Sequence, residues 1–349
     1  MRIVVDVAPL SHPRTGVGNY IRGSLLGLAQ AGARDLVAFA PASRAGRRAI
    51  EESLDGIDAE RRLPVVPAAH ALRTAWSRIG VPPLEAVVGA LDVFHFSDWM
   101  YPPQRGGVRS TMIHDLVPLH FPDWVHRRTE RMHSAKYRHA ARACDVVVVN
   151  SRFTADDVAE TLGVERDRIH VAYPGVDHGF TPVGARAEGE YLLAVGTLEP
   201  RKNLASAIAA AEQLGVELRV VGARGWGGVE AEGRNVTWLG YPADAELPAL
   251  YRGAAAFVYP SRFEGFGIPV LEAMACGTPC VVSSHPSLDE ASGDVAVRAD
   301  PDDVDAIAAA VERARNESGE LARRGLEHAR RFTWPENGRV HLAAWEAAR

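Results

Sequence analysis

The sequence has little cysteine and almost no lysine. Its three cysteines, Cys144, Cys276 and Cys280, form no Cys-x-x-Cys pair and no disulfide framework, so we expect buried, reduced thiols. Lysine supplies two of the 39 basic residues, at Lys136 and Lys202, and arginine supplies the rest. We attribute this bias to base composition, and against it a lysine directly after an arginine at position 202 stands out.

Long apolar runs are also lacking. None approaches the roughly 20 residues that a membrane-spanning helix needs. The first residues, MRIVVDVAPLSHP, lack the apolar segment of a signal peptide and predict a first strand, so we expect a cytoplasmic protein. The formal net charge of −5 argues against free nucleic acid as a partner. At 349 residues, 47% of them hydrophobic, the chain is long enough for two domains with a core each.

Apolar, β-rich runs alternate with helical patterns along the whole chain. In the first half the runs lie at 3–8, 36–40, 92–97, 110–117, 145–150 and 169–173, with helical patterns near 19–31, 70–90, 123–144 and 153–162. In the second half they lie at 191–198, 217–223, 235–241, 255–260, 279–284 and 294–300, with helical patterns from 203 and near 246–254, 270–276, 302–316 and 319–331. This alternation predicts an α/β fold of two doubly wound, Rossmann-like domains with parallel sheets.

A segment rich in proline, glycine and charge, 174–190, interrupts the alternation and predicts an interdomain linker. We therefore place an N-terminal, acceptor-side domain at 1–175 and a C-terminal domain at 190–332. The last helical pattern, 335–349, either returns to pack on the first domain, as we expect, or extends the second. Because ligands bind at the carboxyl ends of parallel strands, we expect a site in a cleft between the domains, which closes on its ligand.

Two segments at predicted strand ends suggest an anion site. In RTGVGNYI (14–21), Gly16 and Gly18 would let backbone amides approach an anion at a helix start, although a tight turn without a ligand explains them equally well. In GTLEPRKN (196–203), Arg201 and Lys202 stand where a helix begins. Cations are unfavourable there unless they meet an anion such as a diphosphate; the alternative is a solvated turn.

Two further segments carry a histidine and two carboxylates. His114 in IHDLVP (113–118) follows an apolar strand, where a core or hydrogen-bonding role is the commoner one. In EGFGIPVLE (264–272), glycine amides precede a helix start, and Glu264 and Glu272 can accept hydrogen bonds from hydroxyl groups. Complementation of the helix dipole could explain Glu264 but explains Glu272 poorly.

The segment EGFGIPVLEAMACGTP (264–279) closely resembles the E-x7-E signature of the glycosyltransferase 4 family. GTLEPRKN, the TGVG turn, IHDLVP and the FTW tail resemble the family's other landmarks in the same order, so the resemblance covers nearly the whole chain. It implies GT-B architecture, with two Rossmann-like domains facing a central cleft. It also implies retaining sugar transfer from a nucleotide-diphosphate sugar, with neither a metal ion nor a cofactor. The bacterial mannosyltransferase-like subgroup is the closest, which implies GDP-mannose as the donor and a glycan or lipid-linked glycan as the acceptor, in polysaccharide biosynthesis.

The resemblance also implies roles for individual residues. Glu272 would bind the nucleotide ribose, Glu264 would face the transferred sugar, and Arg201 with Lys202 would meet the diphosphate. His114 would touch the donor sugar, and the acceptor would attack from the front face while the leaving phosphate takes its proton. The expected catalytic residues are His114, Arg201, Lys202 and Glu264. The other expected donor-binding residues are Gly16, Gly18, Thr197, Tyr241, Gly265, Phe266, Gly267, Ile268 and Glu272.

Several alternatives stay open at this point. The donor could be a UDP-, ADP- or dTDP-sugar. The protein could be a nucleotide-sugar epimerase of the same architecture, a sugar-binding module, or a phosphorylase that holds pyridoxal phosphate on Lys136 or Lys202. The arginine-rich helix at 123–144 predicts either contact with an anionic membrane, which would make the protein peripheral at the inner face of the cell membrane, or a plain solvated face.

Overall fold

The computed structural model describes residues 1–12, 16–66, 76, 78–97, 101–223, 233–243 and 245–349. These residues form two compact units. The first comprises Met1–Pro122, His126–Gly175 and Thr333–Arg349, and the second comprises Asp123–Val125 and Val176–Phe332. Part of the helix predicted near 70–90 lies outside the described residues. Within the described ranges, no helix combines the length and the apolar character that crossing a bilayer requires.

The described residues of the first unit contain a parallel sheet with strand order β3-β2-β1-β4-β5-β6-β7. Its strands are β1 (Arg2–Asp6), β2 (Asp35–Phe39), β3 (Glu60–Arg62), β4 (Val93–Phe96), β5 (Val108–Ile113), β6 (Val146–Val149) and β7 (Ile169–Val171). The accompanying helices are α1 (Gly16–Gln30), α2 (Arg44–Ser53), α3 (Glu85–Val88), α4 (Val117–His120), α5 (Arg127–Ala143) and α6 (Arg152–Leu162). Central strands such as β6, four consecutive valines at most 1% exposed, are apolar on both faces because helices cover both.

The second unit repeats this plan with a parallel sheet whose described strands run in the order β10-β9-β8-β11-β12-β13. They are β8 (Tyr191–Val195), β9 (Glu217–Val221), β10 (Val236–Gly240), β11 (Ala256–Tyr259), β12 (Cys280–Ser283) and β13 (Val297–Ala299). The helices are α7 (Leu204–Leu214), α8 (Glu246–Gly253), α9 (Ile268–Ala275), α10 (Asp289–Ser292), α11 (Val304–Asn316) and α12 (Ser318–Ala329); α13 (Trp334–Ala347) follows and belongs to the first unit. The parallel α/β architecture predicted from the alternating pattern is confirmed in both units.

Most of the segment assigned to a linker from the sequence is part of the second unit. The amide of Ala187 donates to Ala249 O at 3.0 Å, and Arg252 donates to Ala185 O at 2.7 Å and to Thr181 O at 3.0 Å. Residues from Val176 onward are therefore tied to α8 and the loops beside it, although their proline, glycine and charge suggested a tether.

The C-terminal helix α13 packs directly on α1 within the first unit. A Cβ atom on Gly27 would lie 2.0 Å from Trp334 O, and one on Gly338 would lie 2.2 Å from Gly27 O, so the two helix backbones touch where glycine leaves room. Asn337 is buried and donates to Tyr20 Oη at 3.0 Å. This packing fixes α1, which begins at the glycine turn singled out from the sequence.

Candidate active site

Four charged side chains gather at the carboxyl edge of the second unit's sheet. Arg201 Nη1 donates to Glu264 Oε2 at 2.5 Å, and Lys202 Nζ donates to Glu264 Oε1 at 2.7 Å. Arg201 Nη2 also donates to Glu199 Oε1 at 2.7 Å. We call Glu199, Arg201, Lys202 and Glu264 the cation cluster. In it Lys202 contacts Glu264, which lies 62 positions later in the sequence.

The sheet order explains why these residues meet. Strands β8 and β11 are hydrogen-bonded neighbours and run parallel, so the loops that follow them leave the same edge. The loop after β8 forms the short 3₁₀ turn Pro200–Lys202. The loop after β11 is joined to it by a backbone bond, from the amide of Arg262 to Arg201 O at 2.9 Å. The topology of the sheet therefore builds the cluster.

The carboxylate of Glu264 is held from several directions. Besides the two cations, Ser261 Oγ and Tyr259 Oη donate to its Oε1, at 2.5 and 2.9 Å. Burial alone would raise the pKa of Glu264, but the charges of Arg201 and Lys202 outweigh it and lower this pKa to about 2. Glu264 is thus ionised at neutral pH.

Charge compensation explains why two cations can lie together at this mostly buried position. The Lys202 side chain is only 12% exposed, and burial together with the neighbouring Arg201 lowers its pKa, while Glu264 opposes that change. Two cations and two carboxylates leave the cation cluster close to neutral. An anionic ligand was expected to compensate Arg201 and Lys202; within the chain, Glu264 pairs with both of them and Glu199 pairs with Arg201.

The loop between Glu264 and α9 turns sharply before the helix begins. Gly267 has a φ of 107°, a left-handed conformation that favours glycine, and Ile268 and Pro269 open the helix. Gly265 and Gly267 are both buried in this loop. Phe266 was expected to bind the donor, but its side chain is 2% exposed and packs on Phe332 with ring centroids 5.5 Å apart.

The second glutamate of the motif lies within α9 and is equally fixed. Glu272 is 7% exposed and accepts a hydrogen bond from Tyr251 Oη at 3.0 Å. Burial and the adjacent carboxylate raise the pKa of Tyr251 well above its ordinary value, so this phenol stays a donor. Of the other expected donor contacts, Thr197 is half-buried after β8, and Tyr241 directly follows β10 and is 56% exposed. Both follow strands of the same parallel sheet.

The remaining expected residues lie in the first unit. Gly16 is the first residue of α1 and is exposed, with open space where a Cβ would be, while Gly18 is buried; Arg14 and Thr15 of the same motif lie outside the described residues. His114 follows β5, and its ring meets that of Tyr20 edge-on, with centroids 5.2 Å apart.

His114 is held neutral by its surroundings. Its Nε2 is buried and has no hydrogen-bond partner among the residues the structure describes. Burial, with the nearby charge of Lys136, lowers the pKa of His114 to about 3. Lys136 is itself 2% exposed and donates to Met112 O at 2.5 Å and Ser97 O at 3.0 Å. No structural role beside His114 was predicted for Lys136, although the rarity of lysine in this sequence draws attention to it.

Carboxylates elsewhere on this edge serve local structure. Asp303 caps α11 by accepting from the amide of Ala306 at 2.9 Å, and Asp302 pairs with Arg262 at 2.5 Å. Within the described part of the chain, no group of three or more His, Cys, Asp or Glu residues is arranged to hold a metal ion.

Comparison with known proteins places this arrangement in a family. Residues 14–180 match the family model described as Glycosyltransferase Family 4, and residues 180–332 match the one described as Glycosyl transferases group 1. The O-antigen chain mannosyltransferase B of Escherichia coli is 30% identical over an alignment of 379 positions that covers 96% of each chain. The chain belongs to the glycosyltransferase 4 family.

Solved structures agree with this assignment at the level of the fold. Sucrose-phosphate synthase from Thermosynechococcus elongatus aligns with a TM-score of 0.71 at 17% identity over 99% of both chains. Anabaena HepE, in complex with UDP and glucose, aligns with a TM-score of 0.70 at 16% identity over 99% of this chain and 100% of that one. This glycosyltransferase therefore has the GT-B fold, and the family, fold and enzyme class predicted from the E-x7-E motif are confirmed.

Proposed function

We propose that this glycosyltransferase transfers mannose from GDP-mannose to a hydroxyl group of a glycan or lipid-linked glycan. In this proposal the anomeric configuration is retained and no metal ion takes part. The observation that carries it is the cation cluster, which fixes Arg201 and Lys202 beside the glycine loop of the E-x7-E motif. The choice of mannose is supported by the name of the 30% identical Escherichia coli relative, an O-antigen chain mannosyltransferase.

The cation cluster suits a departing diphosphate. When the bond from the anomeric carbon to the phosphate breaks, negative charge grows on the phosphate oxygens. Glu264 holds Arg201 and Lys202 in place, so stabilising that charge needs little reorganisation. The amide of Gly267, the residue directly before α9, would add a hydrogen-bond donor with a partial positive charge.

The state of Glu264 bears on how the configuration is retained. A double displacement would need this carboxylate or another to attack the anomeric carbon. Both oxygens of Glu264 are engaged by hydrogen-bond donors, and its pKa of about 2 makes it a weak nucleophile. These features favour front-face attack by the acceptor oxygen. That oxygen forms the new bond to the anomeric carbon, the bond to the diphosphate breaks, and the acceptor proton passes to a diphosphate oxygen.

Glu272 would hold the other end of the donor. Its carboxylate, oriented by Tyr251, can accept charge-assisted hydrogen bonds from the two hydroxyls of a ribose. The carbonyl-bound Lys136 and the neutral His114 are proposed to belong to the sugar and acceptor side. The proposed chemistry does not require pyridoxal phosphate, because the diphosphate is the leaving group.

The acceptor side includes an arginine face that fits an anionic surface. Arg127, Arg131, Arg138 and Arg142 of α5 are exposed, fall on one face of that helix, and have no ion-pair partner in the described part of the chain. We propose that this face meets anionic lipid beside a lipid-linked acceptor. Flotation with vesicles of anionic and neutral lipid should separate this from a solvated face, since only anionic vesicles should carry the protein, and less so in high salt.

A transfer assay tests the proposed function. The protein is incubated with GDP-, UDP-, ADP- or dTDP-hexoses, with and without a mannose-ending oligosaccharide acceptor, and in the presence or absence of a chelator. We expect GDP release from GDP-mannose that requires the acceptor, an α-linked product by NMR, and no effect of the chelator. A β-linked product would contradict retention, and an altered nucleotide sugar formed without an acceptor would favour an epimerase.

A further inference from the structure

The chain between β12 and α10 lies directly against the loop that carries Glu264. Strands β11 and β12 are parallel neighbours, so the loops after them leave the same edge of the sheet. The amide of Glu264 donates to Ser287 Oγ at 3.0 Å, and a Cβ on Gly267 would lie 2.7 Å from Leu288 Cδ2. Ser287 is 2% exposed, so its hydroxyl satisfies an amide that water does not reach. Losing that acceptor would leave a buried amide unpaired.

His285 in turn holds this hydroxyl. Its Nδ1 lies 2.9 Å from Ser287 Oγ and 3.2 Å from the Ser287 amide nitrogen. A backbone N–H can only donate, so Nδ1 must be an acceptor without a hydrogen, and the ring is the neutral tautomer protonated at Nε2. The Ser287 hydroxyl can then donate to Nδ1 while accepting from the amide of Glu264. A proton on Nδ1 would remove both bonds between His285 and Ser287.

We propose that His285 and Ser287 position the loop that carries Glu264, which we call the donor loop, and that protonation of His285 weakens donor binding. The inference rests on the proposed function, because it assumes that the donor binds at the loop of Glu264. Neither residue needs to touch the donor. The neutral imidazole anchors the hydroxyl that anchors the loop, and the imidazolium releases it, so acid should raise the donor KM more than it lowers kcat.

The groups around His285 set the pH at which its ring is protonated. Partial burial lowers the pKa of His285; Asp289 raises it, and Arg298, which pairs with Asp289 and donates to His285 O, lowers it. Phe263 packs on the ring, with centroids 5.4 Å apart. Protonation therefore begins as the pH falls below the ordinary histidine value of about 6.5.

His114 and Glu264 of the proposed site titrate below this range. The pKa of His114 is about 3 and that of Glu264 about 2, and the phosphates of a nucleotide-diphosphate sugar remain ionised. His328 provides a control in the same unit: its pKa is also lowered by burial, and its Nε2 contacts Ala291 O at 3.1 Å.

The substitution His285→Asn distinguishes the hydrogen bond to Ser287 from the protonation of the ring. Asparagine is a good helix cap, so His285→Asn keeps an acceptor for Ser287 and cannot be protonated. We expect the donor KM of the wild type to rise from pH 7.5 to pH 5.5, toward the limit of about tenfold that loss of one such hydrogen bond sets once His285 is fully protonated. His285→Asn should stay within about twofold of the wild type at pH 7.5 and lose most of the pH dependence. Ser287→Ala should raise the donor KM about tenfold at both pH values.

The controls keep the outcomes distinct. His328→Gln should keep the pH profile of the wild type, and each variant is checked by thermal melting at both pH values so that unfolding is not mistaken for weak binding. A pH profile of His285→Asn that matches the wild type, or an unchanged KM in Ser287→Ala, would overturn the inference while leaving the proposed function intact. If the wild type neither binds nor turns over any nucleotide sugar, the proposed function itself fails.

Discussion

Glu264→Gln removes the charge at the centre of the cation cluster while keeping the shape of the side chain. In the wild type this carboxylate accepts hydrogen bonds from Arg201, Lys202, Ser261 and Tyr259. The amide would leave the two cations with Glu199 as the remaining carboxylate of the cation cluster. Because Arg201 and Lys202 are mostly buried, an uncompensated positive charge there is unfavourable.

The pKa of Glu264 gives the size of the effect. Its fall from 4.5 to about 2 corresponds to about 3 kcal/mol of stability at neutral pH. A lowered carboxyl pKa contributes stability above pH 4.5 and loses it as the pH falls from 4.5 toward 2. We therefore expect Glu264→Gln to lower the melting temperature by about 5–10 °C at pH 7, and by less at pH 4. Transfer should fall about 10²- to 10³-fold, since a preorganised contact to the reacting groups is lost.

Calorimetric melting of the wild type, Glu264→Gln and a surface control measures this directly. Glu320→Gln is the matched control, because Glu320 pairs with Arg323 at the surface and its side chain is 57% exposed. The control should melt and transfer like the wild type. If Glu264→Gln also melted like the wild type at pH 7, the carboxylate would not be holding the cations, and the electrostatic reasoning would be wrong.

Three further outcomes follow from named contacts. Lys202→Met should lower kcat about 10²-fold or more in steady-state transfer kinetics, because one fixed cation near the leaving group is lost; near-normal turnover would remove Lys202 from the mechanism. Gly27→Ala should lower the melting temperature by several degrees, since the new Cβ would lie 2.0 Å from a carbonyl oxygen of α13, whereas Gly106→Ala, with nothing within 4 Å, should not. Burial lowers the pKa of His341 to about 4 and that of His95 well below 6.5, and their rings are 5.2 Å apart. Lowered histidine pKa values keep stability above about pH 6.5 and lose it below, so His341→Gln should remove about 2 kcal/mol of the loss in unfolding free energy that the wild type shows in urea between pH 7 and pH 5. A flat dependence would show that these rings can be protonated in place.

The sequence predicted the strands of both sheets well where burial dictates the pattern. A strand covered on both faces must be apolar throughout, as Val146–Val149 is, and such runs stand out. The strand Glu60–Arg62 was missed because it lies at the sheet edge, pairs with one neighbour and has all three residues exposed. The helix Arg44–Ser53 was missed because its charged residues dominate the segment, and only Gly46 and Ile50 are buried.

For the site, the sequence motifs predicted which residues lie there but not the contacts between their side chains. Glu264 and Lys202 were expected to meet a ligand; that they also bond to each other, with Glu264 buried and the Lys202 side chain 12% exposed, was not predicted. That pairing depends on β8 and β11 being neighbours in the sheet, which the linear sequence does not state. The same holds for Ser287 and Tyr251, which support Glu264 and Glu272 from distant segments and carried no motif.

Calorimetric titration with GDP-mannose tests most directly whether the cation cluster binds the diphosphate of a nucleotide sugar. We expect the wild type to bind GDP-mannose and GDP but not free mannose. Lys202→Met should bind GDP-mannose at least about tenfold more weakly, as loss of a charge-assisted contact predicts, while Glu320→Gln should bind like the wild type. Equal affinity of the wild type and Lys202→Met, or no binding of any nucleotide sugar by the wild type, would contradict this assignment.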